Sequence, residues 1–247
     1  MESTVQLKAE LKKAREKIFE LNREKKNFLK IISHDLRSPI SRIIGFADLL
    51  KRDLADNEEL RPFAEHIEMA GWNLSKTISR IVEVEHFLSE DRELILQTVD
   101  LQASAQSLSY DLRGKYPDAQ INIESSDVPV EAKVDKPYFD HIFINLVSNA
   151  CKFSDPETEV KIKFLVEPGA VSMIVSNHGI EIPGEEEGLL FKKFAKISTR
   201  PNIEEANVGL GLFVVKTCVD ALGGAVSYFR EPTGMTSFKV TFYVENN

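Results

Sequence analysis

The chain has 247 residues, 43% of them hydrophobic and 28% charged, which excludes a disordered chain and suits one large domain or two ordinary ones. Asp plus Glu outnumber Lys plus Arg by 39 to 31, a formal net charge of −8, which argues against nonspecific nucleic-acid binding. No apolar run reaches the roughly 18 residues of a membrane span, and the N-terminus has no apolar signal core.

In chain order, residues Leu7, Leu11, Ala14, Ile18, Leu21, Phe28 and Ile32 recur at alternating spacings of four and three, with Lys25 intruding at one seam position. That is a heptad stripe on a highly charged background, which suits a two-stranded coiled coil; a lone amphipathic surface helix would show the same stripe. Leu36, Ile40, Ile43, Ala47, Leu50 and Leu54 continue it after a change of spacing. Pro39 falls in the same place and predicts a bend near residues 35 to 39. A turn at Asp53 to Glu59 leads to a second helix with Leu60, Phe63, Ile67, Leu74, Ile78, Ile81, Val84 and Leu88 on its stripe. Two helices bury too little to be stable alone, so a hairpin that dimerises into a four-helix bundle is expected.

From about residue 99 the periodicity changes. TVDLQ, INIES, VEAKV, EVKIKFLVE, AVSMIVSN, GAVSYFR and SFKVTFYVE read as strands, with helices at ASAQSLSYDLRGKY, YFDHIFINLVSNACKF and FVVKTCVDAL. The order predicts an α+β two-layer sandwich, one mixed sheet with helices on one face. The polar segment from Gly184 to Val208 is long enough to be a functional loop. Cys151 and Cys218 sit in apolar patterns and read as buried thiols of a reducing compartment.

Four places could carry chemistry. His34, in IISHDLRSP, lies two residues from the seam on either side and so points away from the bundle core. Neutral imidazole is nucleophilic near neutral pH, and Asp35 could orient it; an idle exposed histidine would look the same. Asn145, Asn149 and Lys152 share one face of a helix, where two amides and a cation suit a phosphate with its Mg²⁺ or, equally, a polar network joining helix to sheet. Asn177 and Gly179 follow a strand directly and could frame a ring-binding pocket. Gly209 and Gly211 open a helix whose first amides could meet a phosphate. His66, His86, His141 and His178 form no ligand-spaced cluster, and His141, among apolar neighbours, reads as structural.

Taken together, HDLRSP, NLVSNACKFS, LLFKKF and GLGLFVVK resemble the catalytic core of a two-component sensor histidine kinase over nearly the whole chain. The resemblance implies a signalling coiled-coil helix at 1–27, a dimerisation and phosphotransfer domain at 28–95 and an ATP-binding domain of the gyrase and Hsp90 type at 96–247. It implies His34 as phosphoacceptor, Asp35 as its activating acid, and Ser38 where a hydroxyl or amide positions water for phosphatase action. It places Asn149 on Mg²⁺ with Asn145 nearby, Lys152 on the ATP phosphates, Phe191 and Phe194 as anchors of the lid, and Gly209 and Gly211 against the phosphates. The implied partners are a second copy of the chain, a response-regulator receiver domain and an upstream sensory domain outside this chain. The implied setting is cytoplasmic, without direct membrane contact.

Two boxes depart from the family pattern. The adenine-reading box, usually Asp-x-Gly-x-Gly, here holds Asn177, Gly179 and Glu181, and Asn207 replaces the first glycine of the last box. Losing a charged contact costs about 1–3 kcal/mol, a 5- to 150-fold weakening. A degenerate core acting as a phosphotransfer or scaffold module is therefore the competing expectation. An ATPase clamp on the same fold is disfavoured, because position 141 is His where a water-activating Glu would be expected nearby.

Overall fold

A computed structural model of the chain describes residues 2–87, 93–195, 197, 198 and 209–243. The side chains of Leu7 and His86 and the whole of Leu88, Asn207 and Val208 lie outside the described set. The chain divides into two compact units, parting between Arg92 and Glu93.

The first unit is a helical hairpin of α1 (Glu2–Asp53) and α2 (Arg61–Phe87). Helix α1 is about 78 Å long at ~1.5 Å per residue and continues through Pro39. Asn57 ends the intervening turn, its Oδ1 accepting from the backbone N–H groups of Glu59 and Leu60 at 3.2 and 2.9 Å. The apolar stripe of α1 divides into two rows. Ser33, Ile40 and Ala47 are buried on the side that packs on α2, whereas Leu36, Ile43 and Leu50 stay exposed. Helix α2 buries Ala64, Gly71 and Val84 and leaves Phe63, Ile67 and Leu74 exposed, as is Leu60 in the turn just before it. Gly71 permits the close approach: a Cβ there would stand 2.7 Å from Ile44 Cγ1. Lys25, the intruder in the heptad row, reaches α2 and meets Glu85 Oε2 at 2.6 Å, and Lys51 pairs with Glu68 in the same way. Among the described residues no helix is long and apolar enough to cross a membrane.

The second unit contains β1 (Gln97–Asp100), α3 (Leu101–Lys115), β2 (Gln120–Ile123), β3 (Glu131–Val134), α4 (Lys136–Phe153), β4 (Glu159–Glu167), β5 (Ala170–His178), α5 (Gly211–Ala221), β6 (Ala225–Arg230) and β7 (Met235–Tyr243). Asp100 and Asp135 start α3 and α4 by accepting from the backbone N–H of Ala103 and Tyr138. The main sheet has the order β2-β4-β5-β7-β6, with β2 parallel to β4 and the other pairs antiparallel. One expectation needs correcting: the strands do not form a single sheet. β1 and β3 pair with each other in a separate antiparallel ribbon, and TVDLQ is split, its last two residues being the first turn of α3.

Period-two alternation assigns the faces. Val160, Ile162 and Phe164 of β4, Val171, Met173 and Val175 of β5, and Phe238, Val240 and Phe242 of β7 are buried. Helix α4 lies on this side, with the Phe139 ring 6.0 Å from that of Phe242, and it touches α3 and α5, so the helices form one layer. On the alternate positions, Ser172 Oγ lies 3.0 Å from Thr241 Oγ1. Ser176 and Ser237 both donate to Glu231 Oε1, at 3.0 and 2.6 Å, and Thr233 donates to Oε2 at 3.2 Å. On this face of the sheet the buried serine hydroxyls are thus paired. Cys218 is buried, but Cys151 is only half-buried; both are free thiols. Burial pushes the Cys151 thiol up to about 11, which keeps it protonated and unreactive at neutral pH.

Two outcomes are expected. Phe143 is fully buried, so Phe143→Ala should lower the unfolding free energy of the second unit by about 3–5 kcal/mol in urea titrations. The Ser237 hydrogen bond, then those of Ser176 and Thr233, hold Glu231 below its ordinary value of 4.5. A carboxylate depressed in the folded state contributes stability above that ordinary value and loses it as pH falls through the folded one. Wild type should therefore exceed Glu231→Gln in stability at neutral pH, with the gap closing below about pH 4.5.

Candidate functional site

The candidate residues fall into two groups, one on each unit. On α1, the side chain of His34 is 86% exposed, as its offset from the seam predicts. Its Nδ1 lies 3.2 Å from Asp35 Oδ1. A carboxylate only accepts, so in the tautomer that makes this contact Nδ1 carries the proton and Nε2 the lone pair. Ser38, one turn further on, is exposed and accepts a long bond from Arg42 Nη1 at 3.4 Å. Ser33, the residue before His34, is buried with no hydrogen-bond partner for its Oγ.

On the second unit, a cleft opens beside the C-terminal turns of α4. It holds about 510 Å³ of empty space, part of it open to solvent. Asn149, Ala150 and Phe153 of α4 line one side, Asn177 of β5 and Thr236 and Phe238 of β7 the floor, and Ile180, Ile182, Leu190, Ile197 and Leu212 the remaining walls. The cleft is therefore apolar, with two amides and one hydroxyl as its polar points, the pattern of a site for a flat ligand with a few directional contacts.

The end of α4 and the end of β5 are spliced together. Ser154 and Gly179 form an isolated antiparallel bridge, and the Asp155 N–H donates to the His178 carbonyl at 2.8 Å. A Cβ on Gly179 would stand 2.0 Å from the Phe153 carbonyl oxygen, so the splice requires glycine. It is this contact that puts Asn149 and Asn177 on one cleft.

Of the other expected residues, Asn145 is 7% exposed, and its Nδ2 donates to the His141 carbonyl at 2.7 Å, one turn before Asn149. His141 itself is exposed: α4 turns this position outward, away from the apolar neighbours that its sequence context suggested. Lys152 is half-buried one turn after Asn149 and is not on the cleft wall. Phe191 packs edge-on against Phe238 from behind the cleft, with centroids 6.4 Å apart. Phe194 lies off the cleft, 52% exposed, at φ +63°, with Lys193 Nζ 5.7 Å from its ring. Its N–H donates to the Gly209 carbonyl at 3.1 Å. Gly209 has φ +69°, and a Cβ there would meet the Ala195 carbonyl oxygen at 2.4 Å, so this glycine admits the chain's own backbone. Gly211 begins α5, whose N-cap Leu210 supplies no side-chain hydrogen bond. Glu181 is exposed and does not line the cleft.

Sequence reasoning missed Thr236, Phe238 and the aliphatic walls. Thr236 and Phe238 look like ordinary strand alternation; only the register that sets Thr236 beside Asn177 marks the threonine. The splice yields a test. Gly179→Ala should cost about 3 kcal/mol or more, because backbone must yield, and should melt the second unit at lower temperature while leaving the helical hairpin folded.

Two family models match the chain: the His Kinase A (phospho-acceptor) domain over residues 24–89, and the Histidine kinase-, DNA gyrase B-, and HSP90-like ATPase over residues 134–246. Among curated proteins, the signal transduction histidine-protein kinase ArlS of Staphylococcus haemolyticus is 24% identical over 89% of this chain and 49% of its own length. The sensor protein KdpD of Escherichia coli is 30% identical over 86% of this chain and 24% of its own. The chain thus spans half or less of these relatives. Among solved structures, the Acinetobacter baumannii histidine kinase AdeS has a TM-score of 0.59 at 22% identity, covering 86% of this chain and 98% of that one. Full-length ShkA in complex with AMPPNP has a TM-score of 0.62 at 20% identity, covering 90% and 47%. These structural likenesses carry the fold. With both domains matched in this order, on a helical hairpin followed by a sandwich with its cleft at the end of α4, the chain belongs to the sensor histidine kinases and carries their phospho-acceptor and ATPase-type core.

Proposed function

We propose that the protein binds ATP in the cleft beside α4, phosphorylates itself on His34 and passes the phosphoryl group to an aspartate on a response-regulator receiver domain. The observation that carries the reading is the disposition of His34: exposed, with Nδ1 taken by Asp35 and Nε2 directed to solvent. Attack by the Nε2 lone pair on the γ-phosphorus forms the N–P bond, breaks the bond to the β,γ-bridging oxygen and releases ADP. The positive charge that develops on the ring is met by Asp35 across the Nδ1 proton. Positioning and charge stabilisation supply most of the catalysis in such transfers.

On the nucleotide side, the apolar walls suit the base, and Asn177 with Thr236 its polar edge. The uncapped start of α5 and the ammonium of Lys152 suit the phosphates. A divalent metal such as Mg²⁺ fits the donor set, because Asn149 offers one hard amide oxygen and Mg²⁺ keeps waters and phosphate oxygens as its other ligands. When bound it supplies charge neutralisation of the triphosphate. Asn145, whose amide is turned back to the His141 carbonyl, holds the turn that carries Asn149. Phe191 backs the Phe238 ring of the cleft floor, Phe194 ties to Gly209 through its backbone, and Gly211 starts the helix that would face the phosphates. The departures at Asn177 and Glu181 leave the cleft open, which favours a working kinase over a degenerate scaffold.

The exposed rows Leu36, Ile43 and Leu50 on α1 and Phe63, Ile67 and Leu74 on α2 support a homodimeric four-helix bundle. The receiver partner docks near His34. Ser38, one turn beyond His34, carries a hydroxyl placed to orient water for dephosphorylation of that partner. An ATP-consuming core of this kind works in the cytoplasm, under an upstream sensory segment.

Incubation with [γ-³²P]ATP and Mg²⁺ should give acid-labile, base-stable label on the wild type and none on His34→Gln. Equal labelling of the two, or no label on folded wild type, would sink the reading.

A further inference from the structure

One polar point of the cleft can pair in two ways. Asn177 is 5% exposed and lines the cleft floor. Its hydrogen bond is a long one, Nδ2 to the His178 carbonyl at 3.3 Å. The second Nδ2 proton and the whole of Oδ1 remain for a ligand. The group is neutral, and a half-turn about its last bond exchanges donor for acceptor at the same place.

Beside it, on the same face and in register, stands Thr236, 6% exposed. Its Oγ1 accepts from Arg230 Nη1 at 3.0 Å. Its proton has only the Ile180 carbonyl at 3.5 Å. A hydroxyl held this way keeps one lone pair and a rotatable proton, so it too can accept or donate. Neither neighbour brings a carboxylate to this floor: Glu181 is exposed, and Glu231 is engaged by Ser176, Ser237 and Thr233.

A 6-aminopurine presents an amino donor and a ring-nitrogen acceptor along one edge. A 6-oxopurine presents the inverse, a carbonyl acceptor and a ring N–H donor. An acceptor-only group at position 177, set opposite position 6 of the ring, would pair with the amino group of the first and repel the carbonyl of the second. The Asn177–Thr236 pair can match either by rotating two terminal bonds. We infer that this cleft takes 6-oxopurine nucleotides, those of guanine and hypoxanthine, as well as adenine nucleotides. The inference rests on the nucleotide-binding reading above and specifies its ligand class.

The test is direct calorimetric titration of the full chain with ADP, GDP and IDP, each with Mg²⁺; IDP keeps the 6-oxo edge without the 2-amino group. The expected result is that the better of GDP and IDP binds within about tenfold of ADP, below most of the 5- to 150-fold cost of a mismatched buried polar contact. ADP binding with both 6-oxo nucleotides weaker by more than about tenfold overturns the inference and leaves the nucleotide reading standing. Failure of folded protein to bind any of the three overturns both. Asn177→Asp, checked for folding by its melting curve, should weaken the 6-oxo nucleotides relative to ADP by about 5- to 150-fold. An unchanged ratio in that variant also overturns the inference. The wild-type comparison stands whether or not the variant folds.

Discussion

The cleft depends on a contact between two stretches of backbone. Helix α4 ends where β5 ends, and the two are joined by the Ser154–Gly179 bridge and the Asp155-to-His178 hydrogen bond. Neither half could reach the other if residue 179 had a side chain. Once joined, the last turns of α4 and the last residues of β5 share a wall, and Asn149 and Asn177 become neighbours on it although 28 residues separate them. The register of β5 with β7 then brings Thr236 to the same floor. The polar groups that line the cleft are thus set by main-chain geometry, which tolerates little displacement, while the surrounding Ile and Leu side chains supply shape.

The helical unit answers a different constraint. The apolar stripe of α1 is wider than one neighbouring helix can cover. Helix α2 takes the row of Ser33, Ile40 and Ala47 and leaves the row of Leu36, Ile43 and Leu50. His34 lies outside both rows, which is why a residue in a tightly patterned helix can keep its ring in solvent. The packing rows and His34 occupy separate sectors of the same helix, so either can be altered with little effect on the other.

Much of this was legible in local sequence. The runs from Glu159 and Ala170 alternate over part of their length and are rich in β-branched residues, and each forms a strand of nine residues. The heptad spacing of α1 likewise marked a helix, and the offset of His34 marked its exposure. What could not be read was non-local. Pairing of β1 with β3 apart from the main sheet depends on partners distant in sequence, which period two does not encode. Lys25 looked like a flaw in the heptad row because its partner, Glu85, lies on the other helix. Gly179 was expected to frame a ring and Gly209 to lie against phosphates; what a Cβ at either position would meet first is the chain's own backbone, the carbonyl oxygens of Phe153 and Ala195. Those carbonyls come from segments that spacing does not connect to either glycine.

The two rows of α1 also set how the units respond to dilution. The sandwich completes its core within one chain, around Phe139, Phe143 and Phe242. The hairpin leaves Leu36, Ile43, Leu50, Phe63, Ile67 and Leu74 exposed, so its stability, given the proposed second copy, follows mass action. At low protein concentration the helical unit would loosen first while the sandwich stayed intact. In a cell, the number of copies present would then decide how much of the helical unit is assembled.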